Sequence, residues 1–156
     1  MKFEIERKYL VRKDIWNSIK KPEGIRIKQG YLVDHPEKTV RIRVRGNQGF
    51  LTIKGPTAEA SRLEYEYPIP AVDAEELLQS FTDKHIEKIR YIINFAGSLW
   101  EIDEFLGDNE GLLLAEIELK NKGEKYEKPP WLGEEVTEDR RYYNSYLVKH
   151  PYKTWK

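Results

Sequence analysis

Three Glu-X-Glu pairs stand out in this chain: Glu4/Glu6, Glu64/Glu66 and Glu116/Glu118. Beside them stands an alternating run of arginines, Arg41, Arg43 and Arg45. On an extended strand, residues two apart project to the same face. Each pair therefore aims two carboxylates one way, and the run aims three guanidinium groups one way. Clustered carboxylates hold hard divalent cations such as Mg²⁺ or Mn²⁺, while arginines and lysines hold phosphate oxygens. Phosphoryl transfer needs both in one place, the metal polarising the phosphate and activating a bound water.

Each motif alone has a plainer reading. A solvated sheet face accounts for a lone Glu-X-Glu, and a surface basic stripe for a lone Arg-X-Arg-X-Arg. The segregation of sign is what discriminates. Neighbouring arginines about 7 Å apart along a strand repel by roughly 2 kcal/mol at an effective dielectric of about 20. A purely structural face would relieve this by mixing signs within each strand. Collected from all alternating segments, the bases are Lys8, Arg41, Arg43, Arg45, Lys54, Arg62, Lys88 and Arg90. The acids are Glu4, Glu6, Glu64, Glu66, Glu101, Asp103, Glu116 and Glu118. Basic strands and acidic strands imply two kinds of partner, anions and divalent cations.

The elements that must position these groups are strands. Period-two alternation runs through Phe3 to Val11, Ile25 to Val33, Val40 to Arg45 and Phe50 to Lys54, and again through Ser61 to Ile69, Ile86 to Asn94, Leu99 to Phe105 and Leu112 to Lys120. Gly46-Asn47-Gln48-Gly49 reads as a hairpin loop, and Gly55-Pro56 as a stop. Helical patterning is confined to Lys13–Ile19, Asp73–Phe81 with Asp73 as N-cap, and Asp139–Lys149. Pro129-Pro130 marks a turn, with Trp131 expected to pack against the end of the sheet structure. Eight strands joined by short turns predict a mainly β (α+β) fold, a closed eight-stranded antiparallel β-barrel with a few peripheral helices.

Composition bounds the function. The 156 residues suit one domain, 1–156. Lys plus Arg and Asp plus Glu are both 27, so the net charge is zero. That balance argues against nucleic acid and membrane surfaces as partners, because both select a basic excess. With no cysteine, disulfides, thiolate zinc sites and cysteine nucleophiles are excluded. The N-terminus is charged from Lys2 onward and has no apolar signal region, so a soluble, cytoplasmic protein is expected. His35, His85 and His150 sit in turn or flanking positions and are read as surface residues.

With these residues in hand, the chain resembles the CYTH superfamily, the triphosphate tunnel metalloenzymes. Glu4-Ile5-Glu6-Arg7-Lys8 is similar to its N-terminal signature. Blocks around Gln29–Leu32, Arg41–Arg43, Leu51–Gly55, Arg62–Glu66, Lys88–Tyr91, Ile102–Phe105, Ala115–Glu118 and Pro129–Thr137 follow in order. The resemblance implies a barrel whose charged lumen binds triphosphate. Glu4, Glu6, Glu66, Asp103, Glu116 and Glu118 would then surround Mg²⁺ or Mn²⁺, with Glu64 pointing the same way. Lys8, Arg41, Arg43, Lys54 and Arg90 would bind phosphate. Arg45 and Arg62 share their direction. Lys88 would bind phosphate or assist proton transfer, placing it beside Glu4 and Glu6 in the catalytic set. Lys28 is an extra whose strand register alternation does not fix. The leading expectation is hydrolysis of inorganic tripolyphosphate to pyrophosphate and phosphate. Alternatives are a class IV adenylate cyclase, a thiamine triphosphatase, or a non-enzymatic polyphosphate- or nucleotide-binding module. Partners are the triphosphate substrate and, as an open option, a second copy in a homodimer.

Overall fold

All eight alternating segments form strands in the computed structural model, which describes residues 2–155. In chain order these are β1 (Phe3–Val11), β2 (Ile25–His35), β3 (Lys38–Arg45), β4 (Gln48–Lys54), β5 (Ser61–Ile69), β6 (Ile86–Phe95), β7 (Ser98–Phe105) and β8 (Leu113–Glu118). Neighbouring strands pair antiparallel in the order β5-β4-β3-β2-β6-β7-β8-β1, and β5 returns to pair with the start of β1 through Phe3↔Leu63 and Ile5↔Ser61. The result is a ring of eight strands. It matches the expected tunnel-like sheet.

Two local departures have physical causes. A ninth strand, β9 (Leu132–Glu135), lies inside the segment read as a turn, and pairs with Tyr9 and Val11. Four residues are too few to display alternation. β1 therefore uses one edge twice, for β5 at Phe3–Ile5 and for β9 further along. The helix expected over Asp139–Lys149 is broken instead: a 3₁₀ turn at Arg140–Tyr142 is followed by a short helix at Asn144–Lys149. Asp139 caps the turn by accepting from the Arg141 amide, and Tyr143 stands extended between the two pieces.

The other two helices cover the ring. α1 (Lys13–Trp16) and α2 (Ala71–Phe81) each precede or follow an edge of the sheet; the short C-terminal helix is α3 (Asn144–Lys149). α2 starts at Ala71 after Pro70, not at Asp73, because proline presets the backbone entering a helix. Asp73 instead supplies acid to the first turn. Ala74 and Leu78, fully buried, press against Ile42 and Val44 of β3. Gly49 makes this approach possible, since a Cβ there would stand 2.8 Å from that of Ala74.

The apolar core lies mostly outside the ring. Outward faces of β1, β7 and β8 place Tyr9, Trp100, Ile102 and Ile117 under Trp16 and Trp131. Trp131 meets Trp16 and Trp100 edge-to-face at 5.7 and 5.8 Å, so it seals the side wall rather than the end. The inward faces are polar along most of their length. They then change character: Ile86, Phe105 and Leu114 lie in phase with Lys88, Asp103 and Glu116, and pack with Val136 and Leu147. This apolar plug closes one end of the lumen, and α3 contributes Leu147 to it.

Candidate active site

The ring sorts the inward charges by sign. β3, β4 and β6 bring Arg41, Arg43, Lys54, Lys88 and Arg90. β7, β8, β1 and β5 bring Glu101, Asp103, Glu116, Glu118, Glu4, Glu6, Glu64 and Glu66. The basic strands β4, β3 and β6, with β2 and its inward Gln29 between the last two, share one arc of the ring and the acidic strands the other, so a cationic wall faces an anionic wall. Lys8 on β1 and Arg62 on β5 are bases within the acidic wall, and Lys8 pairs with Glu116 at 3.5 Å.

A cavity between the walls is lined by Glu6, Lys8, Arg41, Arg43, Lys54, Arg62, Lys88, Arg90 and Glu116, together with Tyr31, Thr39, Thr137, Tyr143 and Asn144. Nine residues of the sequence-predicted set therefore converge. Others stand behind them. Glu4 and Glu64 hold Lys54 at 2.9 and 3.2 Å, and Glu66 accepts from Thr52 Oγ1 at 3.0 Å and lies 3.4 Å from Arg41. Asp103 receives Arg90 Nε and Nη2 at 2.8 and 2.9 Å, and Lys88 at 2.7 Å. Glu118 is the cross-strand partner of Glu6. Arg62 donates from Nε and Nη2 to the Gly55 carbonyl oxygen. Arg45 does not line the cavity: its guanidinium lies over the Phe50 ring at 4.7 Å. Lys28 alternates with the inward Gln29 and so projects to the outer face.

Arg43 is the exceptional base. It is 7% exposed and forms no ion pair among the described residues; its Nε donates to Gln29 Oε1 at 2.9 Å. Burial first, then Arg41 and Arg90, hold its guanidinium below the usual range. A buried cation surrounded by cations is costly unless an anion joins it. Arg41 adds a second unmet demand, because its buried Nε has no partner.

The acidic wall shows the converse. Glu6 forms no ion pair among the described residues. Burial raises its carboxyl well above the ordinary value, reinforced by Glu116 and Glu4. Glu64 is pushed up to about 7 by burial and by its hydrogen bond with Glu4. Burial works against ionised Glu116 too, yet Lys8, Arg90 and Lys88 hold it at about 2. Crowded carboxylates short of positive charge are the chemistry of a hard-cation site. Among the described residues no three carboxylate or histidine side chains already stand in ligand geometry.

Several members of the site were not legible in advance. Asn144 Oδ1 accepts from Lys88 Nζ at 2.9 Å and from Gln29 Nε2 at 3.2 Å, linking Lys88 to Arg43 through Gln29. The Tyr142 carbonyl oxygen accepts from Lys8 Nζ at 3.1 Å, and the Tyr143 ring lies 5.2 Å from it. The broken C-terminal segment thus sets two lysines. Burial drives the Lys88 ammonium down to about 7 against the pull of Asp103.

Comparison with known proteins agrees with this geometry. The CYTH domain model matches residues 2–147. The chain belongs to the CYTH family. Two curated relatives carry the name inorganic triphosphatase. One, from Acetivibrio thermocellus, is 50% identical over 154 residues, covering 98% of this chain and 97% of the relative. The other, from Nitrosomonas europaea, is 36% identical over 153 residues, covering 93% and 96%. Among solved structures, the inorganic triphosphatase NE1496 superposes with TM-score 0.64 at 34% identity, covering 93% of this chain and 97% of that one. A putative adenylate cyclase from Bacillus halodurans superposes with TM-score 0.60 at 17% identity, covering 78% of this chain and 84% of that one, a likeness of fold alone.

Proposed function

We propose that this protein is a divalent-metal-dependent triphosphatase that hydrolyses inorganic tripolyphosphate to pyrophosphate and phosphate. The observation that carries the reading is Arg43, a buried guanidinium with cations around it and no carboxylate partner. An inorganic phosphate chain supplies the missing negative charge to Arg43, Arg41, Lys54 and Lys8 at once. The relatives named inorganic triphosphatase support the same substrate.

Glu4, Glu6, Glu64, Glu66, Glu116 and Glu118 are the residues that would hold Mg²⁺ or Mn²⁺. Asp103 serves the site from behind, because Arg90 and Lys88 already occupy its carboxylate. When bound, the metal polarises the phosphate oxygens and lowers the pKa of coordinated water. Arg41, Arg43 and Arg90 hold the equatorial oxygens as charge redistributes during transfer. Lys88, with an ammonium that titrates near 7 and a fixed position, carries or removes a proton at the reacting oxygen. A water oxygen bonds to the terminal phosphorus, the bond to the bridging oxygen breaks, and pyrophosphate leaves.

The test is direct. Purified protein is incubated with tripolyphosphate, ATP or thiamine triphosphate plus Mg²⁺ or Mn²⁺, and the products are separated. Pyrophosphate and phosphate from tripolyphosphate are expected, with no turnover in EDTA. Cyclic AMP and pyrophosphate from ATP would replace this reading with a cyclase.

A further inference from the structure

Lys28 and His85, both noted in the sequence, play no part in the lumen. Both line a second cavity, of about 490 Å³, on the outside of the ring. The volume falls within the range of small-molecule sites, about 300–1,000 Å³. Its walls come from the segment entering β6, the 3₁₀ turn Gly107–Asn109 between β7 and β8, and the second half of α3. None of its lining residues is shared with the lumen.

The cavity is lined by a donor without an acceptor. Asn109 is 4% exposed, and its Oδ1 accepts from the Tyr152 amide at 2.8 Å, which fixes the side-chain amide. Its Nδ2 has no hydrogen-bond partner among the described residues. A covered N–H left unmet costs free energy that a ligand oxygen would recover. Lys28, half-buried, forms no ion pair among the described residues, and Lys84 adds a second such cation at the rim. His85 donates from Nε2 to the Leu78 carbonyl oxygen at 3.0 Å, away from these groups. Donors and free cations together select an anion.

The surroundings limit the charge and shape of that anion. Asp83 and Asp108 stand exposed at the rim, and Glu87, held by Arg26 at 3.6 Å, is the cross-strand partner of Lys28. A phosphate chain would be repelled by these acids, whereas a single negative charge is matched by the two lysines. Leu106, Val148 and Pro151 add an apolar wall, which a bare inorganic ion would leave uncovered. We infer that this outer cavity binds a small organic monocarboxylate. Its charged end lies toward Asn109 and Lys28, and its hydrocarbon body covers Leu106, Val148 and Pro151. The assignment does not depend on the reaction carried out in the lumen.

Hexanoate and phenylacetate, titrated into isotope-labelled protein, test this by nuclear magnetic resonance, with hexanamide and inorganic phosphate as controls. Asn109→Asp keeps an oxygen for Tyr152 and removes the donor, so the side-chain amide signal it lacks is that of Asn109. Expected are saturable shifts of this signal and of the Lys28 and Val148 backbone amides, with dissociation constants of about 1–10 mM for ligands so small. Asn109→Asp and Lys28→Met should each weaken binding by about tenfold or more. Thermal melts check both folds, and if Asn109→Asp does not fold, Lys28→Met decides. No saturable shift up to about 50 mM would overturn the assignment. So would unchanged affinity in the folded variants, equal binding of hexanamide, tighter binding of phosphate, or shifts confined to lumen residues such as Arg41 and Arg43.

Discussion

Lys88 Nζ lies 2.7 Å from Asp103 Oδ2, with both side chains closed to solvent at 1% and 3% exposure. The contact is a seam: β6 is the last basic strand on that side of the ring, and β7 is the first acidic one. Arg90 fastens the same carboxylate with two further bonds. The two walls are thus tied together by Lys88 and Arg90, which also face the substrate space, through an Asp103 that stands behind them.

Asp103→Asn should lower stability by about 3–5 kcal/mol at neutral pH, because it leaves Arg90 and Lys88 buried without their anion. Burial opposes the Asp103 charge, but Arg90 and then Lys88 hold the carboxyl well below its usual range. For an acid with a depressed folded pKa, the stabilisation exists above the unfolded value of about 4 and fades as pH falls. Urea melts at pH 7, 4 and 2.5 should show the wild-type advantage shrinking in acid. A gap independent of pH would contradict this.

Glu6→Gln should raise the melting temperature of the metal-free protein while abolishing metal-dependent turnover. The raised Glu6 pKa means the native state holds a proton that the unfolded chain releases, so this group destabilises the fold progressively above about pH 4.5. Glutamine removes that penalty and a metal ligand together. Melts in EDTA at pH 4 and 8, with rates in Mn²⁺, separate the effects; the stability gain should appear only at pH 8.

Arg43→Met should weaken tripolyphosphate binding by about 2–4 kcal/mol, the scale of a buried charge-assisted contact. Stability should hold or increase, since the arginine lacks a carboxylate partner and is repelled by Arg41 and Arg90. Arg41→Met, by contrast, gives up contacts to Glu66 and Thr52 and should lose stability as well. Calorimetric titration beside thermal melts distinguishes the pair.

Asn144→Ala should lower kcat on tripolyphosphate by about tenfold or more, with a smaller change in KM, because Lys88 keeps Asp103 but loses the second acceptor that fixes the direction of its ammonium. Asn144→Asp keeps that oxygen and should retain more activity than alanine. Equal kcat in the two variants and the wild type would make the contact incidental.

The inward charges were legible because a strand repeats every two residues: once β1, β3 and β8 were read as strands, Glu4/Glu6/Lys8, Arg41/Arg43 and Glu116/Glu118 had to share faces. Arg45 obeys the same phase yet stands over Phe50 outside the cavity, since alternation gives a direction and not a depth along the lumen. Gln29 was missed as a site residue because β2 alternates too weakly to fix its register, which only pairing with Arg43 and Ile86 establishes. Asn144 lies 56 residues from Lys88, and no local spacing signals such a contact.

The strands, their inward faces and the surplus of like charge on each follow from the order of residues alone. Those are consequences of local geometry. The tertiary structure decided the rest: the order that sets a basic wall opposite an acidic one, the β1–β5 pairing that closes the ring, and the plug of Ile86, Phe105, Leu114 and Leu147. It also folded a broken C-terminal segment over Lys8 and Lys88. These depend on contacts between residues far apart in the chain, where closure and packing select the partner and local propensity is silent.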